Sequence, residues 1–364
     1  TYTTIQDAVD SAVDGDTILI SDGTFTERVV ITKSLSLMGG YTALPGDTTA
    51  RTPRATTIDG GAAGPVVTIG GTDITALVVT VDGFEITNGD AGGGNGGGVF
   101  VALEDDSAVT LNDNAIHDNT ATDGGGIFAS VANRSSLHIT GNDIMTNTSA
   151  DDYAGVYAGV TLSGLLTLAD NAIVGNVSGD QYGGVTAEVN DLSRFTVEDN
   201  LIMSNTTALD GTTIPPYHRY GGLSFKAQHN VHGTFDRNHI IGNTADDHYG
   251  GAYVYLAYNC STTFYDNIVR GNATNHRSYA GLYLYGYGNV RITGGNLVLA
   301  DNTVGGVGGA YGGAYVYATY NSTIDLSNSR ITGNYATGNY GGAYLYAYDH
   351  STIRVPNLYV YDNE

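Results

Sequence analysis

The chain has no tryptophan, one cysteine, six prolines and only two lysines, Lys33 and Lys226, in 364 residues. Each scarcity excludes something. Cys260 alone cannot close an internal disulfide, so stability has to come from hydrogen-bond ladders and apolar stacking. So little cysteine suits a secreted bacterial protein as well as a cytosolic one. Basic residues number 14 against 37 acidic ones, a net charge of −23. With no basic patch to neutralise phosphates, the balance argues against nucleic acid and anionic membrane as partners. No apolar run is long enough to cross a bilayer.

What the chain does have is 52 glycines, 27 tyrosines and a ruler that repeats nine times. A small-residue pair begins each repeat: Gly97-Gly98, Gly125-Gly126, Ala154-Gly155, Gly183-Gly184, Gly221-Gly222, Gly250-Gly251, Ala280-Gly281, Gly312-Gly313 and Gly341-Gly342. An asparagine follows 22 residues after the first member: Asn119, Asn147, Asn176, Asn205, Asn243, Asn272, Asn302, Asn334 and Asn363. From each asparagine to the next pair the gap varies, at 6, 7, 7, 16, 7, 8, 10 and 7 residues. A fixed arm and an elastic arm define one rung of a solenoid with a single variable loop.

Three apolar columns run through the rungs. The strand after the glycine pair alternates, as in Ala252-Tyr253-Val254-Tyr255-Leu256, which is the pattern of a half-buried strand. A second column is Leu111, Ile139, Leu168, Val197, Phe235, Phe264, Leu326 and Val355, broken at Gly294, where a local bulge is expected. The third lies three residues before each asparagine, from Ile116 to Val360. The expectation is an all-β, single-stranded right-handed parallel β-helix of three strands and three turns per coil. Its coils are about 29 residues long and about 4.8 Å apart. The asparagines are expected to form a stacked amide ladder, each tolerating left-handed backbone geometry. The Asp-Asn pairs upstream, such as Asp113-Asn114 and Asp199-Asn200, read as turn chemistry.

Three segments follow. Residues 1–16 carry Ile5, Ala8, Val9, Ala12 and Val13 at helical spacing, a short helix capping the open end. Residues 17–95 hold irregular first coils with a proline-containing loop from Thr42 to Ala55, and residues 96–364 are the regular repeats. The chain starts at Thr1 rather than Met, as after removal of a leader. The last rung carries no cap, so a continuing chain, or the next copy head-to-tail, is expected to cover it.

The opening, Thr4-Ile5-Gln6-Asp7-Ala8-Val9 through Gly23-Thr24-Phe25-Thr26-Glu27, resembles that of pectin lyase-like right-handed β-helices, pectin esterases included. The repeats resemble the polymorphic outer-membrane protein repeat of bacterial surface adhesins, which pairs Gly-Gly-Ala-Ile with Phe-x-x-Asn. The matches include Gly125-Gly126-Ile127, Gly250-Gly251-Ala252-Tyr253, Phe235-Asp236-Arg237-Asn238 and Phe264-Tyr265-Asp266-Asn267. The resemblance implies the fold and an extracellular or cell-surface adhesive role in a bacterium. No Asp- and Arg-containing esterase motif falls on the expected strands, so no catalytic residue is carried over, and fold alone does not set function.

Tyrosine is the sharpest functional lead. One column precedes the small-residue pair from Tyr153 onward, and two point outward from the next strand. In the last four rungs they comprise Tyr249, Tyr253, Tyr255, Tyr279, Tyr283, Tyr285, Tyr311, Tyr315, Tyr317, Tyr340, Tyr344 and Tyr346. Earlier rungs carry Thr186, Glu188, Ser224 and Lys226 there, so a regional flat plate is expected, for protein, self-assembly or carbohydrate. Cross-rung stacking alone is the other reading. The longest elastic arm offers Tyr217, His218 and Arg219 as loop contacts. Asn133, Asn259 and Asn321 are sequon asparagines in turns, open to glycosylation, whereas those at Asn147, Asn176, Asn205 and Asn272 belong to the ladder. No cofactor and no metal site is expected, Ca²⁺ in the acidic turns Asp105-Asp106, Asp151-Asp152 or Asp246-Asp247 being the one candidate. The competing reading is a polysaccharide-active lyase, hydrolase or esterase, which needs paired carboxylates or a basic residue beside the cleaved bond.

Overall fold

The computed structural model describes residues 2–43, 47–71, 74–207, 219–276, 278–306 and 310–364. Within them the chain winds into a parallel β-solenoid of about 11 turns with roughly 29 residues per turn. One coil illustrates the rest. Leu223–Gln228 lies in sheet I, His232–Asp236 in sheet II, His239–Ile241 in sheet III and Thr244–Ala245 in a short ladder IV. Among the described residues these sheets hold 11, 13, 12 and 8 strands. The expected three strands per coil are therefore four. The fourth is the two-residue step after each ladder asparagine, too short for any periodicity to mark.

The first coils join the same sheets. Asp16–Ser21, Gly23–Thr26 and Val29–Ile31 begin sheets II, III and I, and Asp47–Arg51 adds an antiparallel strand on Leu35–Ala43. The helix is Ile5–Ser11, capped by the Thr4 hydroxyl accepting from the Asp7 N–H. Glu27 accepts the Ile5 and Gln6 N–H groups, and Lys33 Nζ donates to the carbonyls of Val9, Asp10 and Ala12. One of the two lysines thus neutralises the helix C-terminus, where a cation is favoured. Gln6 accepts from the Val30 N–H, so the helix satisfies part of the sheet edge it covers.

Inward positions form one continuous apolar core down the axis, mostly aliphatic with phenylalanines such as Phe225, Phe235 and Phe264. Gly294 is not a bulge. It pairs in register with Phe264 before it and Leu326 after it. A Cβ there would stand 3.0 Å from Phe264 Cβ and 2.0 Å from its carbonyl oxygen. Gly233 meets the Phe195 ring in the same way, a large side chain on one rung met by none on the next.

Three polar ladders run inside the turns. Asn119, Asn147, Asn176, Asn205, Asn243, Asn272, Asn302, Asn334 and Asn363 hydrogen-bond amide to amide at 2.8–3.1 Å. Their own backbone is not left-handed; the residue before each one is, as at Asp118 and Ser204. That turn swings the amide inward, where it donates to a carbonyl on the previous coil as well as to the next amide. Asn114, Asn142, Asn171, Asn200, Asn238 and Asn267 form a second buried ladder. In these pairs the aspartate is turn chemistry and the asparagine is core. Cys260 belongs to the third ladder, which includes Ser107, Ser135, Ser193 and Ser322 and is interrupted by Gly164, Val231 and Val290, and its Sγ accepts from the Val231 N–H.

Candidate functional site

Parallel pairing places like residues side by side, so a tyrosine at one position on every rung becomes a column of rings. Tyr182, Tyr220, Tyr249, Tyr279, Tyr311 and Tyr340 are joined by successive parallel bridges. With Tyr153 they stack at 4.7–5.4 Å between centroids and within 15° of parallel. Tyr182, Tyr220 and Tyr249 are buried, so that Tyr249 departs from the expected open plate, and burial raises their phenol pKa values. The second column, Tyr253, Tyr283, Tyr315 and Tyr344, is in register along sheet I and stacks at 5.0–5.1 Å. It meets the first column edge-to-face, as between Tyr279 and Tyr283 at 4.8 Å and 76°.

Axial stacking has a consequence for binding. Rings in these two columns spend their faces on one another, so solvent meets edges and hydroxyls. The third column differs. Tyr255, Tyr285, Tyr317 and Tyr346 are in register, but successive rings tilt by 62°, 39° and 32°. Tyr258, Tyr287, Tyr320 and Tyr348 extend the face without sharing one register, since Tyr287 pairs with Ala257 and Thr319; the rings of Tyr258 and Tyr287 meet at 83°, those of Tyr287 and Tyr320 at 66°, and Tyr348 lies against Tyr346. Sequence reading missed them because Tyr258 and Tyr320 leave the strand alternation, while Tyr287 and Tyr348 extend it by one step; their shared signal is a tyrosine directly before a turn residue, Asn259, Gly288, Asn321 or Asp349.

The second column is not confined to the last rungs. Phe100, Phe128 and Tyr157 occupy its register earlier and stack at 5.9 and 4.6 Å. The interruption is Thr186 and Ser224, both fully buried with unpartnered hydroxyls. Beside them, Glu188 pairs with Lys226 at 3.1 Å and takes a hydrogen bond from Tyr157, whose pKa is pushed up to about 12, chiefly by burial. The third column is the regional one, beginning where this ion pair ends.

Of the loop contacts, Tyr217 and His218 lie outside the described residues. Arg219 is buried rather than presented: it donates to Asp246 Oδ2 at 2.7 Å and lies 3.4 Å from Asp180. Asp246 is thereby committed to an ion pair, as is Asp106 to Arg134. Asp151, Asp152 and Asp180 converge, with oxygens within 4.8 Å of one another, and are the carboxylates able to share a cation among the described residues. Burial, then the neighbouring carboxylates, push Asp152 up to about 7. Three aspartates fall short of the six to eight oxygens of a Ca²⁺ shell.

Asn259 and Asn321 are exposed in left-handed turns and Asn133 is half-buried, while the ladder sequons Asn147, Asn176, Asn205 and Asn272 are fully buried. Asp199, Asn200, Leu201, Arg237, His239 and Asp266 line an open depression of about 340 Å³. Its arginine is already held by Asp199 and Glu198. No helix is long and apolar enough to cross a membrane among the described residues. No family model, curated protein or solved structure matches the chain.

Proposed function

We propose that the chain is a rigid, surface-presenting rod, an extracellular structural or adhesive β-solenoid of a bacterium, whose contact surface is the tyrosine face. The observation that carries this reading is the in-register column Tyr255, Tyr285, Tyr317 and Tyr346, flanked by the rings of Tyr258, Tyr287, Tyr320 and Tyr348. These rings are tilted, partly solvent-facing and unneeded by the aliphatic core. Aromatic surface left in water marks a contact site. Its partners are an uncharged glycan or a protein surface, another copy of the chain included. A net charge of −23 disfavours anionic partners.

The test is binding to a glycan array and to immobilised copies of the protein, wild type against Tyr255→Ala with Tyr317→Ala. The reading expects binding that the double variant loses while its circular dichroism is unchanged. Binding that survives the variant, or no binding in either format, sinks it. A second reading, glycan hydrolysis or elimination, draws on the depression at Asp199, Arg237, His239 and Asp266. Reducing-end release from a polysaccharide panel, abolished by Asp266→Asn, is the result it requires.

A further inference from the structure

We propose that Tyr285, Tyr317 and Tyr346 are oxidative cross-linking sites, at which a one-electron oxidant joins neighbouring rungs through dityrosine. Three observations lead there. The rings are fixed in adjacent pairs: Tyr285 and Tyr317 lie 4.8 Å apart at 39°, Tyr317 and Tyr346 5.1 Å apart at 32°. In-register strands hold those spacings, so neither ring drifts from its partner. Tilt matters as well as distance. It brings one edge of a ring nearer to its neighbour than parallel stacking at the same centroid distance would.

Accessibility separates this column from the first, an exposure that Tyr320 and Tyr348, at 46% and 59%, share. Tyr220 and Tyr249 in the first column are sealed from solvent, whereas Tyr285 and Tyr317 are half-buried and Tyr346 is 39% exposed. Competition for the radical nearby comes from other tyrosines, such as Tyr287, Tyr315 and Tyr348, and not from other oxidisable residue types. The chain has no tryptophan, and its one cysteine, Cys260, is buried in the turn ladder with a pKa raised by burial. The methionines Met145 and Met203 lie on sheet III and Met38 on sheet II, away from this face.

The chemistry closes. Each phenol gives up one electron and its hydroxyl proton. The two radicals join at their ortho carbons, and the two ortho hydrogens then move to the oxygens as the rings regain aromaticity. With hydrogen peroxide as oxidant and a haem peroxidase as catalyst, two tyrosines and one peroxide yield one dityrosine and two waters. The product is a covalent staple between parallel strands otherwise joined by hydrogen bonds.

The experiment is treatment of the purified chain at low concentration with a haem peroxidase and limiting hydrogen peroxide. It is read by dityrosine fluorescence, denaturing gel mobility and mass-spectrometric mapping of linked peptides. Expected are intrachain links Tyr285–Tyr317 and Tyr317–Tyr346, with the chain still migrating as a monomer. Tyr317→Phe keeps the ring stack and removes the phenol, so both linked peptides should fall at least tenfold. Tyr346→Phe should remove only the second, which keeps the test decisive if Tyr317→Phe folds poorly. Links found only between chains, links elsewhere that ignore these substitutions, or no dityrosine at all would each overturn the proposal.

Discussion

Gly222 and Asn243 close one coil against each other: a Cβ on Gly222 would stand 3.0 Å from the Asn243 amide nitrogen and 2.5 Å from the carbonyl oxygen of Gly251 on the next rung. The same contact recurs between Gly98 and Asn119, Gly126 and Asn147, and Gly184 and Asn205. This is the physical origin of the constant arm, because the glycine backbone is the floor on which the ladder amide rests. Gly222→Ala is therefore expected to cost about 1–3 kcal/mol through overpacking against backbone that cannot yield. Gly93→Ala, in open space with no left-handed backbone to strain, should stay within about 0.5 kcal/mol. Urea midpoints of the two variants measure the contrast, and equal midpoints would refute this account of the spacing.

The second asparagine ladder makes a stronger claim. Asn171 donates to the carbonyls of Ile139 and Ala169 and to Asn200, and accepts from the backbone and amide N–H groups of Asn142. Asn171→Ala strands several buried polar groups at once, each costing about 1–3 kcal/mol when unsatisfied. The expected loss is about 3 kcal/mol or more, similar to Asn176→Ala in the first ladder. A loss below about 1 kcal/mol would mean that water replaces the amide.

Most of the fold was legible because a parallel solenoid repeats its constraints. The columns through Ile240 and Asn243, the small-residue pairs and the capping helix all follow from spacing. What escaped is what spacing cannot carry. Ladder IV is two residues per coil, and the second asparagine column stops where Leu297 and Ser329 take its place. The tyrosine columns were legible as positions but not as orientations. Nothing in Tyr249 says that its ring is buried while Tyr346 is exposed, since that depends on rings from neighbouring rungs packing over it. Arg219 likewise looked like loop and is core, because its partner Asp246 lies 27 residues away on the next coil.

Arg219 sets up a third prediction. Its guanidinium and the Asp246 carboxylate are both buried, so removing the cation leaves a charge in a poor solvent for it. Arg219→Ala should lose about 3–5 kcal/mol, while Arg219→Ala with Asp246→Ala recovers part of that loss. Thermal melting of the three variants gives the coupling directly. Additive losses would show that the pair does not act as a unit.

Asp152 predicts a pH dependence with a definite sign. Its folded pKa, pushed up to about 7 from an ordinary 3.8, means that the folded chain holds a proton the unfolded chain has released. Stability from this group is present in full below about pH 4 and is lost as pH rises to about 7, beyond which the charged carboxylate remains a constant burden. Asp152→Asn keeps the oxygen that accepts the Gln181 N–H and removes the titration. The variant should therefore melt above wild type at pH 8, with the difference shrinking toward zero as pH falls to about 4. A difference that stays constant across that range would mean that Asp152 titrates normally. If added Ca²⁺ instead raises the wild-type melting point at pH 8 and leaves Asp152→Asn unmoved, the three aspartates are sharing a cation there, and the burden on Asp152 is relieved by that ion rather than by a proton.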